Sequence, residues 1–383
     1  MRKRIIILGS TGSIGQAALE VVQALNQEAE VVGLAAGNNW QLLADQTVRF
    51  GAREVAIASE TGFSDLRKAI PSTVHARCGA NGVTELVRNI EADLVLSAIV
   101  GAAGLPATLA AVERGLDVAL ANKESLVVAG SLLIPLARQR GCRLIPVDSE
   151  HSAILQALPC GRSEEIEKIY LTASGGPFRT WEPERIERAT LAEALRHPTW
   201  EMGPKITIDS ATMMNKALEI IEAVWLFGVS PEQVEVLVHP ESIVHGMVEY
   251  RDGSIIAQLG VPDMKTPIQY AITFPRRTRG LASALRWDEI GSLRFEPPDP
   301  HRFPALRLGY EAAHRGGSCG AVLNAANEAA VEKFRNGEIS FGRIAALTEE
   351  VCARQQWIEK PTLSDLLECD AWARQEVNAC CQR

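Results

Sequence analysis

Apolar and polar positions along this chain follow two periods, and they change over at defined points. Residues 4–8 form a short β-branched run that predicts a strand. Gly9-Ser-Thr-Gly-Ser-Ile-Gly15 follows, then an amphipathic stretch to about Leu25 and a second strand over 30–35. Further strand–helix units are expected from strands at 54–58, 93–99, 117–121 and 142–147. The runs Leu94-Val-Leu-Ser-Ala-Ile-Val100 and Val118-Ala-Leu-Ala121 are apolar on both faces, as central parallel strands are. The first 149 residues therefore read as an α/β domain of the Rossmann type, with a glycine turn where a dinucleotide pyrophosphate rests on a helix N-terminus.

The pattern then changes. A helix over 152–158 and a strand over 167–173 lead to a segment around 195–205 that carries two prolines and a glycine and is not helical. A helix is expected from an N-cap at Ser210 to about Phe227, with Met214, Leu218, Ile221 and Trp225 as its apolar stripe. Residues 234–238, 242–250 and 254–259 read as antiparallel strands, the last two joined by the turn Arg251-Asp-Gly-Ser254. This gives a central α+β domain over 150–290 with a mostly antiparallel sheet that offers a dimer surface. A proline-rich linker spans 291–304, and helical patterns at 304–315, 319–336, 340–356 and 362–381 predict a small C-terminal bundle.

Composition narrows the function classes. Lys+Arg of 39 against Asp+Glu of 47 gives a net charge of −8 with no basic block, which argues against a nucleic-acid partner. No apolar run reaches the ~18 residues of a membrane span. The eight cysteines show no Cys-x-x-Cys pair or zinc-finger spacing and are expected as free thiols in a reducing cytoplasm.

Candidate chemistry gathers at strand and helix ends. The second strand ends Ala35-Ala-Gly37-Asn38-Asn39, without the carboxylate that usually holds the ribose diol of NAD, so NADP is favoured. Lys123 stands at another strand end, where a ligand contact and a solvated lysine are both open. Asp148 and Glu150 follow a buried strand, two positions apart; they suit either a divalent metal or a capped helix start. Ser174-Gly-Gly offers a hydroxyl and exposed backbone N–H groups for a phosphate, or a plain turn. Trp200 and Met202 are core plugs or the apolar face of a lid. Asn215 and Glu219 share a helix face beside Lys216; a surface ion pair is the bland account, a phosphate and metal site the functional one. His239 and His245 lie on or beside the sheet, where a structural role is the commoner one.

Taken together, these stretches resemble the 1-deoxy-D-xylulose 5-phosphate reductoisomerase family. The likeness rests on the glycine turn, Ala121-Asn-Lys-Glu-Ser125, Val147-Asp-Ser-Glu-His151, Thr172-Ala-Ser-Gly-Gly-Pro-Phe-Arg179, His197-Pro-Thr-Trp-Glu-Met-Gly203, Lys205-Ile-Thr-Ile-Asp-Ser210, Asn215-Lys-Ala-Leu-Glu219 and His239-Pro-Glu-Ser242. The departure is Asn38, where many members carry a basic residue.

The resemblance implies an NADPH-dependent enzyme of non-mevalonate isoprenoid biosynthesis. It would rearrange 1-deoxy-D-xylulose 5-phosphate to 2-C-methyl-D-erythrose 4-phosphate and reduce that aldehyde to 2-C-methyl-D-erythritol 4-phosphate. With the cysteine pattern and the sheet surface described above, a cytoplasmic homodimer is expected. By the same carry-over, Asp148, Glu150 and Glu219 bind Mg²⁺ or Mn²⁺, and Ser174, Ser210, Asn215 and Lys216 hold the phosphate, with His245 as a further candidate. Ser149 and Lys123 touch substrate oxygens; His197, Trp200 and Met202 belong to the closing loop. Thr11, Gly12, Ser13, Ile14, Gly37, Asn38, Asn39, Asn122, Lys123, Glu124 and Gly203 line NADPH. Two other readings remain: another NADP-dependent dehydrogenase, and a non-catalytic NADP sensor that would be expected to have lost metal ligands.

Overall fold

The computed structural model describes residues 2–381. The chain divides into two compact units built from interleaved stretches: one holds the residues up to Asn122 with Leu133–Ser152 and Asp263–Ser283, the other Lys123–Leu132, Ala153–Pro262 and the residues from Ala284 onward. The expected cuts at 149/150 and 290/291 assumed continuous segments, whereas both units take in chain from both sides of the first cut and the second unit runs across the second.

The first unit is an α/β layer with a seven-stranded sheet. Its strands are β1 (Lys3–Leu8), β2 (Ala29–Ala36), β3 (Glu54–Ile57), β4 (His75–Cys78), β5 (Leu94–Ser97), β6 (Asp117–Leu120) and β7 (Leu144–Pro146). They pair in the order β4-β3-β2-β1-β5-β6-β7, all parallel. Residues Ile5 to Leu8 and Leu94 to Leu96 are fully buried, as strands covered on both faces must be. The order reverses at β1, so the β1/β5 edge is the switch point where an open α/β sheet leaves a crevice beyond its carboxyl ends. The short strand β4 was not anticipated; its residues are partly exposed at the sheet edge and carry no apolar run.

The turn after β1 shows why glycine is needed there. Gly9 has φ +80°, and its N–H and that of Ser10 both donate to the Ala35 carbonyl of β2. A Cβ on Gly15 would lie 2.2 Å from the Gly9 carbonyl oxygen, so helix Ser13–Ala24 rests against the turn with no room for a methyl group.

The second unit carries a four-stranded sheet in the order β11-β10-β8-β9: β8 (Ile166–Ala173), β9 (Val234–Val238), β10 (Val244–Tyr250) and β11 (Ile255–Leu259). β10 is antiparallel to both β8 and β11, and the expected hairpin closes with Gly253 at φ +83°. The strand at 234–238 departs from expectation, because it pairs parallel to β8. Four helices, Pro183–Glu187, Leu191–Ala194, Pro204–Ala211 and Met214–Phe227, lie between β8 and β9, ample length for a parallel crossover.

The expected helix 210–227 is also corrected. Helix Pro204–Ala211 ends first, Met213 takes a left-handed φ of 61°, and helix Met214–Phe227 begins anew. Ser210 thus lies in the last turn of one helix instead of capping the next. Thr212 takes the capping role, its hydroxyl accepting the Met214 N–H at 3.3 Å. Met214, Leu218 and Ile221 are buried in one cluster with Trp225 packed against it, as the apolar stripe predicts. The C-terminal helices are Ala305–Arg315, Cys319–Arg335, Phe341–Arg354 and Leu363–Cys381. They pack into the same core as the sheet, where Phe178 and Phe334 both meet Phe341 edge-to-face, with ring centroids 4.9 and 5.5 Å apart.

Replacing Gly15 by Ala is expected to cost about 1–3 kcal/mol, because backbone atoms must move to admit the methyl group. Gly12→Ala, whose Cβ would meet only the Gly9 oxygen at 3.4 Å, is expected to cost less than half of that. Urea denaturation midpoints of the two variants test the difference.

Candidate active site

Of the residues expected to line a dinucleotide, Thr11 to Ile14, Gly37 to Asn39 and Asn122 lie in the first unit, after the carboxyl ends of β1, β2 and β6, while Lys123, Glu124 and Gly203 belong to the second. The Gly12 N–H donates to the Gly9 carbonyl at 3.0 Å, and Gln16 and Gln46 tie down the Thr11 and Ser10 carbonyls. Thr11 to Ile14 therefore form a fixed rim whose N–H groups lead into helix Ser13–Ala24. Gly37 follows β2, and the Ser59 N–H donates to its carbonyl at 2.8 Å. Asn38 is exposed, while the Asn39 side chain caps helix Trp40–Phe50 by accepting the Leu42 N–H at 3.2 Å. Asn122, at the end of β6, donates to the Gly101 carbonyl.

Asp148 lies two residues past the end of β7 and immediately before helix Ser149–Ala157. Its backbone carbonyl accepts the Ser152 N–H at 2.8 Å, and its Oδ1 accepts the Ser149 N–H at 3.0 Å. The Ser149 hydroxyl donates to Glu150 Oε2 at 2.5 Å. The helix begins three residues earlier than expected, so Ser149 and Glu150 stand in its first turn and Asp148 just before it, where the helix dipole favours negative charge.

In the second unit, Glu219 is the centre of a buried polar cluster. Its side chain has no solvent exposure. Lys123 Nζ donates to Glu219 Oε1 at 3.0 Å and to Asn215 Oδ1 at 2.7 Å. Lys216 Nζ donates to Glu219 Oε2 at 2.5 Å and to the Thr172 carbonyl, also at 2.5 Å. Asn215 Nδ2 donates to Glu219 Oε1, as the i,i+4 spacing predicts. One carboxylate therefore lies between two ammonium groups, and Lys216 ties it to the end of β8.

Ser174 follows that strand end. Gly175 and Gly176 have φ of +83° and +66°, and a Cβ on Gly176 would sit 2.7 Å from the Ser210 carbonyl oxygen. The turn thus needs both glycines and sets Gly176 against the Ser210 backbone. Around it stands His197, whose Nδ1 accepts the N–H groups of Thr199 and Trp200 at 3.1 and 2.9 Å. Two donors at Nδ1 leave the proton on Nε2, which donates to Ser174 Oγ at 3.0 Å. Ser174 Oγ also accepts the Gly176 N–H, so its own hydroxyl proton is left to donate elsewhere. The Trp200 ring lies 6.3 Å from that of His245, centroid to centroid. Trp200 and Met202 are half-buried and Gly203 is exposed, in a stretch without helix or strand.

Sequence patterns missed a second ion cluster. Lys205 Nζ lies 3.1 Å from Glu124 Oε1 and 2.7 Å from Asp209 Oδ2, and Asn327 Nδ2 donates to Asp209 Oδ1 at 2.9 Å. The i,i+4 spacing of Lys205 and Asp209 was visible; their partners lie far away in sequence.

Burial lowers the His197 pKa from 6.5 to about 4. Below pH 6.5 the unfolded chain takes up a proton that the folded imidazole refuses until about pH 4, so stability is lost as pH falls through that window. An NMR titration of His197 is expected to give a midpoint near 4, and His197→Gln to flatten the loss of stability over that window; a midpoint near 6.5 would contradict the buried neutral imidazole.

Comparison with known proteins bears on the whole chain. Family models described as 1-deoxy-D-xylulose 5-phosphate reductoisomerase and its C-terminal domains match residues 5–130, 144–227 and 259–376. A relative from Chloroherpeton thalassium named 1-deoxy-D-xylulose 5-phosphate reductoisomerase is 50% identical over 98% of this chain and 97% of its own length. One of the same name from Pelotomaculum thermopropionicum is 49% identical over 97% of each. The Zymomonas mobilis reductoisomerase in complex with NADPH superimposes with a TM-score of 0.93 at 43% identity, over 100% of this chain and 99% of that one. A reductoisomerase in complex with NADPH, fosmidomycin and magnesium gives 0.93 at 38% identity, over 99% and 98%. With a glycine-turn sheet in one unit and a buried carboxylate cluster beside a Ser-Gly-Gly turn in the other, and with matches of this extent, the chain belongs to the 1-deoxy-D-xylulose 5-phosphate reductoisomerase family.

Proposed function

We propose that this chain converts 1-deoxy-D-xylulose 5-phosphate to 2-C-methyl-D-erythritol 4-phosphate by rearrangement and NADPH-dependent reduction with a divalent metal, in non-mevalonate isoprenoid precursor biosynthesis. The observation that carries the reading is the Glu219 cluster, where Lys123, Asn215 and Lys216 converge on one fully buried carboxylate. A surface ion pair would not be buried to this depth.

The residues fit the groups the family uses. The turn from Gly9 to Gly15 leads into helix Ser13–Ala24, whose N-terminus carries no side-chain cap, which suits close approach of a pyrophosphate. Asp148, Glu150 and Glu219 are an oxygen-only donor set, which suits Mg²⁺ or Mn²⁺ and not zinc. When bound, NADPH supplies the hydride, and the metal supplies Lewis-acid stabilisation of negative charge on substrate oxygens.

The chain's own groups do the rest. Thr11 to Ile14, Gly37 to Asn39, Asn122 to Glu124 and Gly203 orient the cofactor. Ser174, Ser210, Asn215 and Lys216 hold the substrate phosphate, with Ser174 presenting a hydroxyl proton because His197 and Gly176 fill its acceptor side. Ser149 and Lys123 contact substrate oxygens. His197, Trp200 and Met202 close over the substrate and exclude water from the aldehyde and the hydride. Binding energy from the phosphate, remote from the reacting carbons, drives that closure.

In the same reading the enzyme is a cytoplasmic homodimer. The free thiols of all eight cysteines support a reducing compartment, and the open edge strand β11, with Ile255 exposed, supports a partner surface. Among the described residues no helix is long and apolar enough to cross a membrane.

NADPH oxidation in the presence of 1-deoxy-D-xylulose 5-phosphate is expected to require Mg²⁺ or Mn²⁺ and to stop with a chelator. Glu219→Gln is expected to lower turnover at least 100-fold, roughly the scale of one lost transition-state contact, while NADPH affinity stays within about twofold. Unchanged turnover would take Glu219 out of the chemistry, and no NADPH oxidation by the wild type would reject the substrate assignment.

A further inference from the structure

Eight residues, 196 to 203, have neither helix nor strand, and they end where helix Pro204–Ala211 begins. That helix is only 8 residues long and starts at Gly203 with no side-chain cap on its first turn. Something else must hold the downstream end of the loop. Thr207, itself buried, does so locally: its hydroxyl donates to the Gly203 carbonyl at 2.9 Å. Lys205 does so at long range, with Nζ placed between Glu124 and Asp209 at 3.1 and 2.7 Å. Asp209, 1% exposed, is fixed in turn by the amide of fully buried Asn327 in helix Cys319–Arg335.

The chemistry of this cluster is not what stability alone would select. Burial alone would lower the Lys205 pKa, but Asp209, Glu124 and Glu328 hold it above the ordinary value. Taking one ammonium and two carboxylates out of water is costly, and well-packed apolar residues would anchor a helix at least as firmly. What an ion cluster adds is a fixed register. Glu124 and Lys123 are adjacent at the start of helix Lys123–Arg140, and they pair in opposite senses: Glu124 with Lys205 of one helix, Lys123 with Glu219 of the next. A slip of either helix would set like charges against each other.

We propose that Lys205 is a positioning residue, the fixed hinge post of the loop 196–203, which sets where His197, Trp200 and Met202 travel when the loop closes on substrate. The assignment rests on the function proposed above. It places the hinge between a residue at the cofactor-lining helix start and the C-terminal helices, so that Asn327 contributes to closure although it touches no ligand.

Trypsin cleavage after Arg196, read by mass spectrometry on the ligand-free full chain, reports the loop without any substrate. Lys205→Met is expected to raise that cleavage rate at least fivefold and the KM for 1-deoxy-D-xylulose 5-phosphate at least tenfold. Lys205→Arg, which keeps the charge, is expected to return both to within threefold of wild type. Asn327→Leu is expected to move both in the same direction by about twofold, and it carries the test if Lys205→Met fails to fold. Wild-type cleavage and KM in Lys205→Met would overturn the proposal. So would a rise in cleavage spread evenly over all sites and equally large in Lys205→Arg, because that is loss of fold and not loss of a hinge. If the wild type did not turn over the substrate but Arg196 cleavage followed the expected order, the substrate reading would fall and the hinge would stand.

Discussion

A carboxylate with no access to water must be neutralised by its surroundings, and the second unit is arranged around that need at Glu219. Two lysines and an asparagine meet it, from helix Lys123–Arg140 on one side and from its own helix on the other. Removing either lysine would leave charge buried without full compensation, a loss on the order of 3–5 kcal/mol. Because Lys216 also binds the Thr172 carbonyl, the same carboxylate fixes the end of β8, and hence the point from which the Ser174 turn springs. The site and the local fold are thus one construction.

The Ser174 turn shows how backbone conformation is converted to chemistry. Two successive glycines in the left-handed region bend the chain back against Ser210. The His197 tautomer, set by two backbone N–H groups, then determines the direction in which the serine hydroxyl donates. No charged group is involved, so this arrangement is stable across the neutral pH range, and the desolvated imidazole stays neutral in it. The loop that carries His197 meets the ion cluster of Lys205 at its downstream end, within a few residues.

Much of this was legible from residue order. Local patterns found the βαβ unit, because a glycine turn between a β-branched run and an amphipathic stretch is a short-range signal. They found the hairpin at Gly253 and the four C-terminal helices to within a residue or two. They placed Asn215 and Glu219 on one face, as the hydrogen bond between them shows. What they missed was non-local or unmarked. The parallel pairing of β9 with β8 depends on a partner about 60 positions away, and alternation alone does not give strand direction. The break at Met213 involves a left-handed φ at a residue type that rarely adopts one, so no glycine or asparagine announces it. The Lys205 cluster joins positions 124, 205, 209 and 327, and nothing in a single sequence says that these charges meet.

The central proposal is that Glu219, with Asp148 and Glu150, binds a divalent cation. The direct test is a titration of the full chain with Mn²⁺, reading the free ion by electron paramagnetic resonance. The account expects one ion bound per chain, with affinity at least tenfold weaker in Glu219→Gln; because the variant leaves two buried ammonium groups without their carboxylate, a stability loss on the order of 3–5 kcal/mol is expected with it, and the titration is run on protein shown to be folded by circular dichroism. Equal Mn²⁺ affinity in the two proteins would contradict it and return the Glu219 cluster to a purely structural role.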